Sequence, residues 1–149
     1  MMDEIADTII PPTDTPGAKA AGVGAVMGKM VHDCYSDDEH AAFVAGLARI
    51  DTLSHTQYNS PFVRCAPAQR LELLSALDQE QKAARHAKPA PKLPHYFAMM
   101  KELTLLGYFT SKIGCTEALR YVETPGHYDG NVPYQPGDKI WAGGTIRVG

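Results

Sequence analysis

Apolar positions recur at helical spacing over most of the first 120 residues, and glycine and proline punctuate them. Ile5 and Ile9 give Met2–Ile10 a short helical face, which Pro11 and Pro12 end. Thr13–Gly17 reads as a turn. Val23, Val26, Met27, Met30 and Val31 predict a helix to about Tyr35. Gly22, Gly24 and Gly28 weaken it by about 1 kcal/mol each relative to alanine, unless they admit another backbone closely. Ser36-Asp37-Asp38-Glu39 is a capping box. The helix it opens carries Phe43, Val44, Leu47 and Ile50 on one face and should reach about His55, before the break at Asn59-Ser60-Pro61. Pro67 suits a first helical position, followed by Leu71, Leu74 and Leu77 and a solvated end over Asp78–His86. Three prolines make Lys88–Pro94 extended. A further helix from about His95 points Phe97, Met100, Leu103 and Leu106 inward, with Gly107 expected to interrupt it. Thr116–Val122 reads as one or two turns. The helical period is then lost over residues 123–149. These elements predict one all-α domain over 1–149: a small irregular helical part, 1–122, and a long non-regular C-terminal arm, 123–149.

Composition changes this picture little. The chain has 149 residues, 44% of them hydrophobic and 21% charged, which is ordinary for a globular domain. A net charge of -3 and a pI near 6.0 argue against nucleic-acid binding. No run of apolar residues is long enough for a transmembrane helix, and no basic, then apolar, opening marks a signal peptide. Cys34, Cys65 and Cys115 form no CxxC pair. They read as three buried thiols, or as leaving one thiol available to a partner chain.

Candidate chemistry is sparse. The six histidines are scattered, with no HExxH. His32 and Asp33 lie near Asp37, Asp38 and Glu39, but acids before a helix serve first as caps. Gly22-Val-Gly24 imitates a dinucleotide loop, yet Met27 stands where the third glycine belongs and no strand precedes it. There is no CxxCH, and three scattered cysteines do not make an iron–sulfur site. Cys115 beside Glu117 is the one nucleophile candidate, so a stand-alone enzyme with a Cys/His site is the alternative reading. The loop Gly126-His127-Tyr128-Asp129 could line a sugar site, or be an ordinary turn at Asp129-Gly130. Tyr108, Phe109, Tyr121, Tyr128, Tyr134 and Trp141 cluster late in the chain. With His127 they are the candidate partner-interface residues, because Tyr and Trp are enriched among interface anchors, and a long irregular tail needs a surface to lie on.

Several segments carry a resemblance. They are Ile5-Ala-Asp-Thr-Ile-Ile-Pro-Pro-Thr-Asp-Thr-Pro-Gly17 onward to Val23, Phe43–Asp51, Leu103-Thr-Leu-Leu-Gly-Tyr-Phe-Thr-Ser-Lys-Ile-Gly114, and Leu119-Arg-Tyr-Val-Glu-Thr-Pro-Gly-His-Tyr-Asp-Gly130. In these the chain resembles the gluconate 2-dehydrogenase subunit 3 family. The resemblance implies a non-catalytic, chaperone-like small subunit of a heterodimer. Its partner would be a large FAD-dependent oxidoreductase of the glucose-methanol-choline type that oxidises a sugar or polyol, with a cytochrome c or another acceptor taking the electrons. No catalytic, cofactor-binding or metal residue carries over to this chain, and FAD belongs to the partner. The resemblance also implies a periplasmic complex exported through a twin-arginine signal. No twin arginine precedes Met1, and a cytoplasmic home is the alternative.

Overall fold

The computed structural model describes residues 1–89, 91–124, 126–128, 130–142 and 146–147, the last pair and residues 127–128 by their backbone. Five helices form the body: α1 (Met2–Ile9), α2 (Val23–Cys34), α3 (Asp37–Tyr58), α4 (Pro67–Arg85) and α5 (Tyr96–Phe109). A 3-10 turn, Phe62–Arg64, joins α3 to α4.

Local chemistry explains the starts. Glu39 N donates to Ser36 Oγ at 3.4 Å and Ser36 N donates to Glu39 Oε2 at 3.0 Å, so the capping box opens α3. α3 then runs three residues past His55 and stops where Asn59 turns left-handed, φ 51°. Pro67 is the first residue of α4, and α5 is capped by His95, whose Nδ1 accepts from Phe97 N at 3.2 Å. Gly22, at φ 71°, precedes α2 in the left-handed region that glycine enters freely. Gly24 serves packing: a Cβ there would lie 2.7 Å from Asp3 N, so α1 and α2 touch backbone to backbone.

α5 runs through the middle and packs on the other four helices. The core joins Ile5, Val23, Met27, Phe43, Ile50, Phe62, Leu74, Phe97 and Met100. Gly107 lies against Val23, and Thr104 Oγ1 against Met27 Sδ, so α2 and α5 run antiparallel. Gly107 does not interrupt α5; its missing side chain is what admits Val23. Three residues expected inside lie outside: Val44, Leu71 and Leu106 are exposed, and Leu73 takes the place assigned to Leu71. The thiols divide as well. Cys34 is exposed, Cys65 buried and Cys115 half-buried, so they are not three buried thiols.

Helical structure ends earlier than residue 122. A π-helical turn, Gly114–Ala118, folds back on the end of α5, and the chain then extends. Short strands give the arm some regularity. β1 (Arg120–Tyr121) pairs in parallel with β3 (Trp141–Ala142), and β2 (His127–Tyr128) pairs antiparallel with β4 (Ile146–Arg147). The chain is nonetheless mostly helical.

Asp78 ties α4 to α5, accepting from Lys101 Nζ at 2.6 Å and pairing with Lys82 Nζ at 2.7 Å. The Lys101 hydrogen bond, reinforced by Lys82, holds its carboxyl down at about 2, against an ordinary 3.8. A depressed carboxylate contributes its stability above the unfolded value and loses it as pH falls toward the folded one. Urea midpoints should therefore drop between about pH 4 and pH 2, and Asp78→Asn should flatten that part of the profile. An unchanged profile in the variant would remove Asp78 as the cause.

Candidate partner-binding face

The sequence of α5, Tyr-Phe-Ala-Met-Met-Lys-Glu-Leu-Thr-Leu-Leu-Gly-Tyr-Phe, has charge only at Lys101 and Glu102. A helix that is apolar on every side is normally buried on every side. Here Phe97, Met99, Met100, Leu103, Thr104, Gly107 and Tyr108 are buried, while the arc Ala98, Glu102, Leu105, Phe109, with Leu106 beside it, is not. Leu105 is 45% exposed, Leu106 48% and Phe109 40%. Val26 of α2 extends this surface, since its Cγ1 would lie 3.6 Å from a Cβ on Gly107. The result is a continuous open apolar face on the central helix.

The expected interface residues divide around it. Phe109 lies on the face. Tyr108 does not: it is 2% exposed, and its hydroxyl donates to Pro16 O at 2.8 Å. It pins the loop after α1 onto α5, so its place is inside the fold rather than at an outer surface. The two rings meet edge-on, 5.2 Å between centroids. Tyr121 and Tyr134 are exposed on the arm. Trp141 is half-buried, its ring 5.5 Å from the Arg120 guanidinium carbon, and Arg120 also pairs with Asp138 at 3.2 Å. Between them Arg120, Val132, Tyr134, Lys139, Ile140 and Trp141 line a cleft of about 260 Å³. The side chains of His127 and Tyr128, and Asp129 altogether, lie outside the described residues. The sequence reading missed Leu105, Leu106 and Val26. Their signal was the run Leu103-Thr-Leu-Leu106, which supplies more apolar positions than one buried helix face can use.

Nucleophile and metal chemistry finds little support nearby. Cys115 Sγ donates to Phe109 O at 3.1 Å, an arrangement that keeps the proton on sulfur rather than activating a thiolate. Among the described residues no three of His, Cys, Asp and Glu gather as metal ligands. Asp37 and Asp38 sit in the first turn of α3, where the helix dipole accounts for them.

A small helical protein that leaves one side of its central helix open has the build of an accessory chain in an assembly. The gluconate 2-dehydrogenase subunit 3 family matches residues 1–126, which hold all five helices and β1, and the chain belongs to that family. No curated protein and no solved structure matches the chain. A subunit family of an oxidoreductase complex implies a larger dehydrogenase partner. Among the described residues no helix is long and apolar enough to cross a membrane.

Proposed function

We propose that the chain is the non-catalytic small subunit that binds and stabilises a large FAD-dependent dehydrogenase of the glucose-methanol-choline type. In this reading the partner holds the flavin, oxidises a sugar or polyol and passes electrons to a cytochrome c or another acceptor. The small subunit covers an apolar surface of the partner during maturation, and the pair is exported to the periplasm together. The open apolar face of α5 carries this reading, because a helix with Leu105, Leu106 and Phe109 outward is only half covered by its own fold. Family membership supports it. Obligate complexes usually bury more than about 2,000 Å², so the face should be the centre of a contact that also takes in the arm aromatics.

Co-expression of the dehydrogenase with and without this chain tests it, read by size-exclusion chromatography, flavin absorbance and dehydrogenase activity. A yellow complex containing both chains is expected, with soluble flavoprotein and activity lost when the chain is omitted. A colourless chain eluting apart from a fully active flavoprotein would sink the proposal.

A further inference from the structure

The open face has charged ends. Elsewhere the molecule pairs its charges: Asp78 with Lys82 and Lys101, Glu80 with Arg49, Glu4 with Arg70 and Lys19, and Asp138 with Arg120. Glu102 and Lys112 are both exposed, and neither has an ion-pair partner among the described residues. Glu102 lies on the α5 arc with Leu105 and Phe109, about 10 Å along the axis before Phe109. Lys112 follows three residues beyond Phe109.

The Glu102 end is acidic from more than one element. Asp33 lies two turns beyond Val26 on the same arc of α2, and the antiparallel packing brings it toward Glu102. Lys29 points about 60° further round α2. Burial first, and then the charges of Glu102 and Glu39, push the Tyr35 phenol up, which locates both carboxylates at this end. The face thus runs from acidic (Asp33, Glu39, Glu102) through apolar (Val26, Leu105, Leu106, Phe109) to a free cation at Lys112.

We infer that the surface of the larger dehydrogenase subunit that covers this face carries the complement: an apolar ridge with a cation at the Glu102 end and an anion at the Lys112 end. This rests on the small-subunit reading above. Unpaired charges flanking an apolar stripe make the wrong docking direction repulsive, so they set orientation more than they set affinity. The chain's own C-terminus is not the occupant. Ile146–Arg147 is taken up by pairing with His127–Tyr128, and Leu105 and Phe109 stay exposed. A second copy laid antiparallel would also bring Lys112 to Glu102; membership in a subunit family puts the larger subunit ahead of it.

The test uses the co-expressed complex of the full chain with the FAD-containing large subunit. Its dissociation is followed by sedimentation at the flavin wavelength, at low and at high salt. Glu102→Lys and Lys112→Glu should each weaken the complex about tenfold at low salt, and less as salt screens the charges. Leu105→Asp should abolish it at any salt. If the charge reversals change neither affinity nor its salt dependence while Leu105→Asp still abolishes binding, the face is the docking site but the inferred polarity is wrong. If Leu105→Asp also leaves the complex intact, both the docking face and its polarity fall. A dimer of this chain that the charge reversals dissociate, and that the flavoprotein does not displace, would overturn the inference in favour of a second copy.

Discussion

Gly46→Ala should destabilise the chain by about 1–3 kcal/mol, although alanine is the better helix former by about 1 kcal/mol. Gly46 sits in the middle of α3, and a Cβ there would lie 2.4 Å from Tyr96 Cδ2, 2.5 Å from Cγ and 2.7 Å from Cβ. These atoms belong to the root of the ring, next to the α5 backbone, so no rotation of a flexible tip relieves them. The Tyr96 ring is held besides by stacking on His95, 4.4 Å between centroids, and by the Arg49 guanidinium 5.7 Å from its centre. The methyl can be admitted only by moving α3 away from the helix at the centre of the core. Gly107→Ala is the control. Its nearest neighbours are the branch methyls of Val23 at 3.2 and 3.7 Å and of Val26 at 3.6 Å, which can give by a few tenths of an ångström. The gain in helix propensity then offsets the crowding, and the variant should fall within about 1 kcal/mol of the parent. Urea unfolding of the two variants side by side checks both. Equal stability would mean that Tyr96 does not occupy the notch at Gly46.

The two glycines also show where sequence reading reaches its limit. Caps and breaks were legible because a few neighbouring residues make them. Ser36 needs only Glu39, Pro67 needs no partner at all, and Pro11-Pro12 end α1 wherever it packs. Gly107 misleads because its propensity cost of about 1 kcal/mol is local, whereas the compensating contact comes from Val23, more than eighty residues earlier. Leu71 and Leu73 are equally apolar, and only the position of α1 and α5 against α4 decides which is buried. β1 and β3 are two residues long and twenty residues apart, too short for any alternation to announce them. The partner face was half legible. The density of aromatic and aliphatic residues around Leu103–Phe109 pointed to the right helix. Tyr108 and Phe109, however, lie 100° apart around it, so one is a staple of the fold and the other a surface residue.

That difference makes a paired experiment decisive. Leu105→Ala with Phe109→Ala should weaken the complex with the larger subunit by about 2–4 kcal/mol, which is roughly 30- to 1,000-fold. The stability of the chain itself should change by no more than about 0.5 kcal/mol, because both side chains are exposed in the isolated fold. The isolated variant should also aggregate less, since the substitutions shrink an exposed apolar patch. Tyr108→Phe should do the reverse. It removes the hydroxyl that donates to Pro16 O and lies 3.3 Å from Thr15 Oγ1, at a cost of about 1 kcal/mol of folding stability. It leaves the outer face untouched, so the affinity of whatever protein remains folded should not change. Thermal unfolding of the isolated chains, together with sedimentation of the flavin-containing complexes, separates the two effects. If the Leu105/Phe109 variant binds as tightly as the parent, the open side of α5 is not the contact. The arm aromatics Tyr121, Tyr134 and Trp141 would then have to carry the interface by themselves, and Trp141→Ala would become the substitution that abolishes assembly.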